Sequence, residues 1–206
     1  MGIISSFNLW QFIESDKVDQ YVETGLGVGD CLKTAMEYPF KKIFSAELDS
    51  DLVQNSKHLE KDQRVKIIQG KSTDALKEII PQLDTTPVLW WLDAHLPFGD
   101  FHKISYEESI RTYLQDCFPL EEEIEIIATS RNCSKDVFMI DDTLLYEKDL
   151  DCEHFRSSGD FPHRELVKSL GMSLDPQFLY NRLDKTHNWS IDLRHQGYFI
   201  LTPKSC

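Results

Sequence analysis

The chain has 206 residues, 41% of them hydrophobic and 28% charged, with a net charge of −13, enough for one domain with a full core spanning residues 1–206. No apolar run approaches the roughly 18 residues of a membrane span, and the acidic balance argues against a nucleic-acid backbone as partner. Five scattered cysteines without a C-x-x-C pair, and an amino-terminal stretch with neither a basic region nor a long apolar run, predict a reduced cytoplasmic protein.

Residues 5–14 place Phe7, Trp10, Phe12 and Ile13 behind serines, predicting a short edge helix. A strand at 20–23 runs into a glycine-rich turn, and a helix at 29–38 carries Cys31, Leu32, Ala35 and Met36 on one face until Pro39 stops it. Strand 42–48, helix 51–59 with Ser50 as cap, strand 64–70 and helix 73–80 follow. V-L-W-W-L-D-A, 88–94, is almost wholly apolar, as a strand buried on both faces should be; Trp90 and Trp91 are read as core, not as an aromatic cage. The segment 95–118 is irregular and rich in aromatics and charges, which suits an active-site cover. Pro119 opens a helix whose Glu121, Glu122 and Glu123 are read as a solvated start. Strand 136–142 ends in two aspartates, 143–160 is a second cover loop, and 161–170 is a helix. Residues 189–193 and 197–202 flank a turn and predict an antiparallel hairpin. The alternation predicts a Rossmann-like α/β three-layer sandwich, with a mostly parallel seven-stranded sheet ending in that hairpin.

Two groups of residues carry chemistry. Gly25, Gly27 and Gly29, between the first strand and helix, allow a sharp turn and a close approach to a ligand, and Glu47 after the second strand is placed to accept bonds from ribose hydroxyls. A nicotinamide dinucleotide competes for such a site, but the third glycine comes one residue early for G-x-G-x-x-G. Glu23 would also repel a pyrophosphate, whereas a cofactor with an ammonium group tolerates it. The second group is Asp93, Asp141 and Asp142 at the ends of two strands. Oxygen-only ligands suit magnesium, and the bland reading is helix capping or solvation. His95, two residues beyond Asp93, is open to four roles: ligand, partner of a ligand, general base, or hydrogen-bonded loop residue. Asp100, His102 and Lys103 are candidates for substrate contact, and Phe98, Phe101 and Tyr106 either line a pocket or pin the cover.

On V-E-T-G-L-G-V-G, the acid after the second strand, Q-G-K-S-T-D after the third and the closing hairpin, the chain resembles the class I S-adenosylmethionine-dependent methyltransferases over essentially its whole length. The W-L-D-A-H and I-D-D strand ends are similar to those of the metal-dependent O-methyltransferases of the catechol and macrocin types. The resemblance implies that Gly25 and Gly27 border the cofactor's amino-acid part, Glu23 helps hold its ammonium group, and Glu47 takes the ribose. It also implies that Ser72, Thr73 and Asp74 meet the adenine edge, and that Asp93, Asp141 and Asp142 hold Mg2+. The expected reaction is methyl transfer to a small hydroxylated molecule with His95 or Asp93 as catalytic residue. Metal-independent transfer on the same fold and a non-catalytic cofactor-binding or assembly module are the alternatives. Oligomeric state stays open.

Overall fold

The computed structural model describes residues 2–99, 103–146, 163–195 and 197–205. Asp100, Phe101, His102, Cys152, Cys206, most of the expected second cover loop and the first two residues of the helix expected at 161–170 lie outside them. A seven-stranded sheet runs through the molecule in the order β3-β2-β1-β4-β5-β7-β6. Its strands are β1 (Gln20–Thr24), β2 (Lys42–Glu47), β3 (Val65–Gln69), β4 (Val88–Leu92), β5 (Val137–Ile140), β6 (His187–Asp192) and β7 (Tyr198–Pro203). Pairing is parallel from β3 to β5, and β7 is antiparallel to both β5 and β6. The expected fold class is therefore observed. The helices are α1 (Trp10–Ser15), α2 (Asp30–Met36), α3 (Ser50–Ser56), α4 (Ser72–Ile79), α5 (Tyr106–Tyr113), α6 (Leu120–Ser130), α7 (Thr143–Tyr146), α8 (Arg164–Ser169) and α9 (Gln177–Leu183). Among the described residues no helix is long and apolar enough to cross a membrane.

Strand alternation sorts the apolar residues into two cores. Val22, Trp90, Phe138 and Ile140 pack with α4, α6 and α9 on one face; Tyr21, Leu89, Trp91 and Met139 pack with α1 and α2 on the other. Adjacent Trp90 and Trp91 thus serve opposite layers, both fully buried. The indole N–H of Trp90 donates to Asp136 Oδ2 at 2.8 Å, and the Val88 N–H donates to Asp136 Oδ1 at 3.1 Å. Arg131 closes this buried group with Nη2 at 3.2 Å from Asp136 Oδ1. It pins β4 to β5 at the amino ends of the strands, away from the acids at their carboxyl ends.

Three local expectations need correction. The serines near the amino terminus do not cap a helix: Ile4–Ser6 is a 3-10 turn, and α1 begins at Trp10 without a side-chain cap. The expected irregular cover contains α5, capped by Ser105 Oγ, which accepts from the Glu108 N–H at 3.1 Å. S-Y-E-E at 105–108 is a capping box that the surrounding aromatics obscure. Helix α9 was not expected; it buries Leu179 and Leu183, one helical turn apart, against the core.

Glu23 is corrected as well. It stands in β1 beside its register partner Ser45 and is wholly buried. Its carboxyl accepts from Ser45 Oγ at 2.6 Å and from Tyr21 Oη at 2.8 Å. Burial pushes Glu23 up to about 8 from 4.5, against the pull of those two bonds.

Two outcomes follow from these groups. Replacing Asp136 by Ala leaves Arg131 and the Trp90 N–H without their buried acceptor, which should cost about 3–5 kcal/mol of stability in urea unfolding. For Glu23 the native state binds its proton more tightly than the unfolded chain does. Its stabilising contribution is then fully present below about pH 4.5 and is lost as pH rises towards 8. Glu23→Gln should flatten that slope, with a melting temperature that matches the parent near pH 5 and exceeds it near pH 8. An unchanged slope would place the Glu23 proton elsewhere.

Candidate active site

The carboxyl ends of the parallel strands are tied to one another by the loops that leave them. Gly25 and Leu26 donate backbone N–H groups to the Ala46 carbonyl at 2.9 and 3.1 Å, Asp93 donates to Thr24 at 3.0 Å, and Asp141 donates to Leu92 at 3.0 Å. Gly25 has φ +84°, and a Cβ there would stand 2.5 Å from the Asp93 carbonyl oxygen. Only glycine lets the β1 loop pass so close to the end of β4.

This edge carries an open cleft of about 110 Å3. Gly25, Gly27 and Glu47 line one side, Ser72 and Thr73 another, and Asp93 and His95 the end. Glu47 accepts from the Gly27 N–H at 2.9 Å through Oε2 and from the Asp49 N–H at 2.8 Å through Oε1. Each oxygen keeps lone-pair capacity for a further donor. Burial pushes the Glu47 carboxyl upward while those backbone bonds pull it down. Asp49 caps α3 in place of the expected Ser50 and also lines the cleft. Lys103, from the cover, reaches across to Asp49 at 2.5 Å and Asp51 at 2.8 Å. Burial works to raise Asp49, but Lys103 and the Asp51 N–H outweigh it and hold the carboxyl below its ordinary value.

Two of the expected cofactor residues do not face the cleft. Glu23 lies beneath it, as described above. Asp74 is exposed and pairs with Lys77 at 3.5 Å. Because α4 starts at Ser72, Asp74 is turned some 200° away from Ser72 around the helix.

The three strand-end aspartates do come together, with His95 between two of them. His95 Nδ1 lies 3.4 Å from Asp93 Oδ1, and His95 Nε2 lies 2.6 Å from Asp142 Oδ2. Asp142 itself holds a left-handed backbone, φ 55°, which aspartate tolerates better than most residues. Gly2, from the amino-terminal segment, donates its N–H to Asp93 Oδ2 at 2.9 Å. A Cβ on Gly2 would meet Trp91 at 2.3 Å, Asp93 at 2.7 Å and Asp141 at 2.9 Å. Asp141 is buried, and neither of its oxygens has a hydrogen-bond partner. It faces Asp93, but two carboxyls bond only when one of them carries a proton. Burial pushes both upward; beyond that, Asp142 and Asp93 repel the Asp141 charge, while His95 favours that of Asp93.

A magnesium ion at Asp93, Asp141 and Asp142 would have to displace contacts that two of these residues already make. Among the described residues no group of three or more His, Cys, Asp or Glu side chains is disposed to hold a metal ion. Asp93 is turned to Gly2 and His95, and Asp142 to His95.

Glu123 had been read as solvated and is instead 1% exposed. Burial pushes it up to about 7, against the nearby side chains of Ser72 and Thr24. The signal was present: Leu120, Glu123, Ile124 and Ile127 share the inward stripe of α6. Gly2 was also missed as a contributor, because it reaches Asp93 across 91 residues of sequence.

No family model matches the sequence, and no curated protein matches it. Solved structures do match its shape. A Staphylococcus aureus protein assigned as a caffeoyl-CoA O-methyltransferase superposes with a TM-score of 0.60 at 12% identity, covering 99% of this chain and 85% of that one. The SAH-bound methyltransferase PaMTH1 of Podospora anserina gives 0.53 at 16% identity, covering 95% and 77%. The methyltransferase domain of bacterial CtHen1-CN gives 0.52 at 8% identity, covering 94% and 95%. Identities this low speak to architecture. With the strand order, the terminal hairpin and the glycine loop against the end of β4, they show that the chain has the class I S-adenosylmethionine-dependent methyltransferase fold.

Proposed function

We propose that the protein is an S-adenosylmethionine-dependent methyltransferase that methylates a hydroxyl group of a small molecule. One observation carries this reading: Asp93 and His95 form the end wall of the same cleft whose sides are Gly25, Gly27, Glu47, Ser72 and Thr73. A cofactor site and an acid–base group therefore meet along one segment of chain. The residues fit the cofactor. Gly25 and Gly27 leave room for its amino-acid part, Glu47 has acceptor capacity for two ribose hydroxyls, and Ser72 and Thr73 border the place of the adenine. When bound, the cofactor supplies an electrophilic methyl group on a sulfonium, and the chain has to orient the hydroxyl and accept its proton.

His95 is the residue placed for the proton. With Nε2–H donated to Asp142, the lone pair lies on Nδ1, towards Asp93. A hydroxyl presented there gives its proton to Nδ1, and the two flanking carboxylates stabilise the imidazolium that results. A second reading is favoured by the unpartnered oxygens of Asp141: Mg2+ held by Asp93, Asp141 and Asp142. It requires Gly2 and His95 to release Asp93 and Asp142.

Calorimetry should show binding of S-adenosylmethionine, weakened roughly 10- to 100-fold in Glu47→Ala by loss of the charged acceptor. Absence of binding to the parent protein would sink both readings. With a hydroxylated acceptor, His95→Asn should lower turnover about 10^2- to 10^4-fold, and excess chelator should leave the parent's rate unchanged. Loss of turnover in chelator, restored by added magnesium, would reject the histidine reading for the metal one.

A further inference from the structure

Ion pairs join the cover to the opposite rim of the cofactor cleft at each of its ends. At the far end Lys71, on the loop after β3, lies 2.8 Å from Asp116, and both residues line the cleft. That end is also built into the core, where Ile110 of α5 and Cys117 are wholly buried. At the near end Lys103 Nζ lies 2.5 Å from Asp49 Oδ2 and 2.8 Å from Asp51 Oδ2, at the start of α3. The Asp49 side chain is 6% exposed and that of Asp51 76%, so salt screens the first pair less than the second.

Lys103 is linked through Asp49 to the ribose acceptor. The Asp49 N–H donates to Glu47 Oε1 at 2.8 Å, so the residue that receives the lysine also orients the Glu47 carboxylate. Leu96, Pro97 and Phe98, from the near end of the cover, line the same cleft. Their backbone is strained: Leu96 has φ 43° and Phe98 φ 64°, left-handed values that residues with a Cβ disfavour. Leu96 also precedes a proline, which favours extended backbone. Such a turn persists only where its surroundings hold it. Leu96 is fixed by burial and by its N–H, which donates to the Cys117 carbonyl at 3.2 Å. Past it, the Gly99 N–H donates to the Leu96 carbonyl at 2.9 Å and the Ile104 N–H to the Phe98 carbonyl at 3.4 Å.

We propose that Lys103 is a latch on the cofactor cleft: its pairs with Asp49 and Asp51 hold the Phe98 turn as a wall, and cofactor exchange requires those pairs to break. The inference rests on the proposed methyltransferase reading for the identity of the occupant; the latch itself stands on Lys103, its two acids and the strained turn. When Lys103 withdraws, the turn at Phe98 relaxes and the wall opens. The far end stays in place through Lys71, Asp116 and Ile110. When Lys103 is seated, Asp49 keeps Glu47 oriented towards the cleft.

Two measurements on the full chain test this. The first is dissociation of S-adenosylhomocysteine, followed by surface plasmon resonance. Lys103→Met keeps the apolar stem without the charge and should raise the dissociation rate about fivefold or more, whereas Lys103→Arg should stay within about twofold of the parent. Raising salt from about 50 to about 500 mM should speed dissociation from the parent and leave the Lys103→Met rate unchanged. The second measurement needs no ligand: by NMR, the Gly99 and Ile104 amides should exchange about fivefold or more faster in Lys103→Met, with Ile110 unaffected. An unchanged dissociation rate, or unchanged exchange at Gly99 and Ile104, in the folded variant overturns the proposal. So does dissociation from the parent that ignores salt, a result that needs no variant. Faster amide exchange in a chain that does not bind S-adenosylhomocysteine rejects the methyltransferase reading and leaves the latch standing. Binding with a dissociation rate that Lys103→Met leaves untouched rejects the latch alone.

Discussion

The contact on which the site depends is between Gly25 and the carbonyl of Asp93. A Cβ at Gly25 would lie 2.5 Å from that oxygen, so the loop after β1 and the chain leaving β4 can touch only because one of them has no side chain. The parallel register of β1 with β4, Thr24 opposite Leu92, brings them to that distance. Everything else at the edge follows from it. The glycine loop faces Glu47 on one side, and Asp93 and His95 complete the end wall.

The electrostatics of this edge are unusual for a buried region. Glu23, Glu123, Asp141 and Asp142 are buried, and the Asp93 side chain is only 5% exposed, whereas carboxylates are rarely so unless they are paired. The structure answers each in a different way. Glu23 receives two hydroxyl donors. Asp93 receives a backbone N–H from Gly2 and shares His95 with Asp142. Glu123 and Asp141 keep unpartnered oxygens. The first arrangement resembles a structural hydrogen-bond group within the core, and the second a poised acid–base group. The amino-terminal segment takes part in this balance. Phe7 packs edge-on against Tyr198 and the Ile3 N–H donates to Tyr198 Oη at 3.2 Å, which holds Gly2 against Asp93.

Much of the fold was legible along the chain. Alternation of β-branched and aromatic residues marked seven strands, V-L-W-W-L identified the doubly buried one, and Pro39 ended the helix after the glycine loop. Gly25, Gly27, Glu47, Ser72, Thr73, Asp93 and His95 all line the cleft. The misreadings share a cause. Glu23 and Asp74 were assigned by motif position, but one points into the layer under the loop and the other outwards from α4. Glu123 was grouped with Glu121 and Glu122 by adjacency, although successive helix residues lie 100° apart and only the third of these acids faces inward.

The amino-acid sequence by itself determined the kind and order of the elements, the faces that become core and the turn that must be glycine. Those properties depend on periodicity and backbone sterics within a few residues. Tertiary structure alone decided which acids are satisfied and which are left wanting a partner. That outcome depends on desolvation and on contacts such as Gly2 with Asp93, 91 residues apart, or Tyr198 with Ile3, 195 residues apart. The burial of a carboxyl is set by the layers that close over it, and no local pattern carries that information.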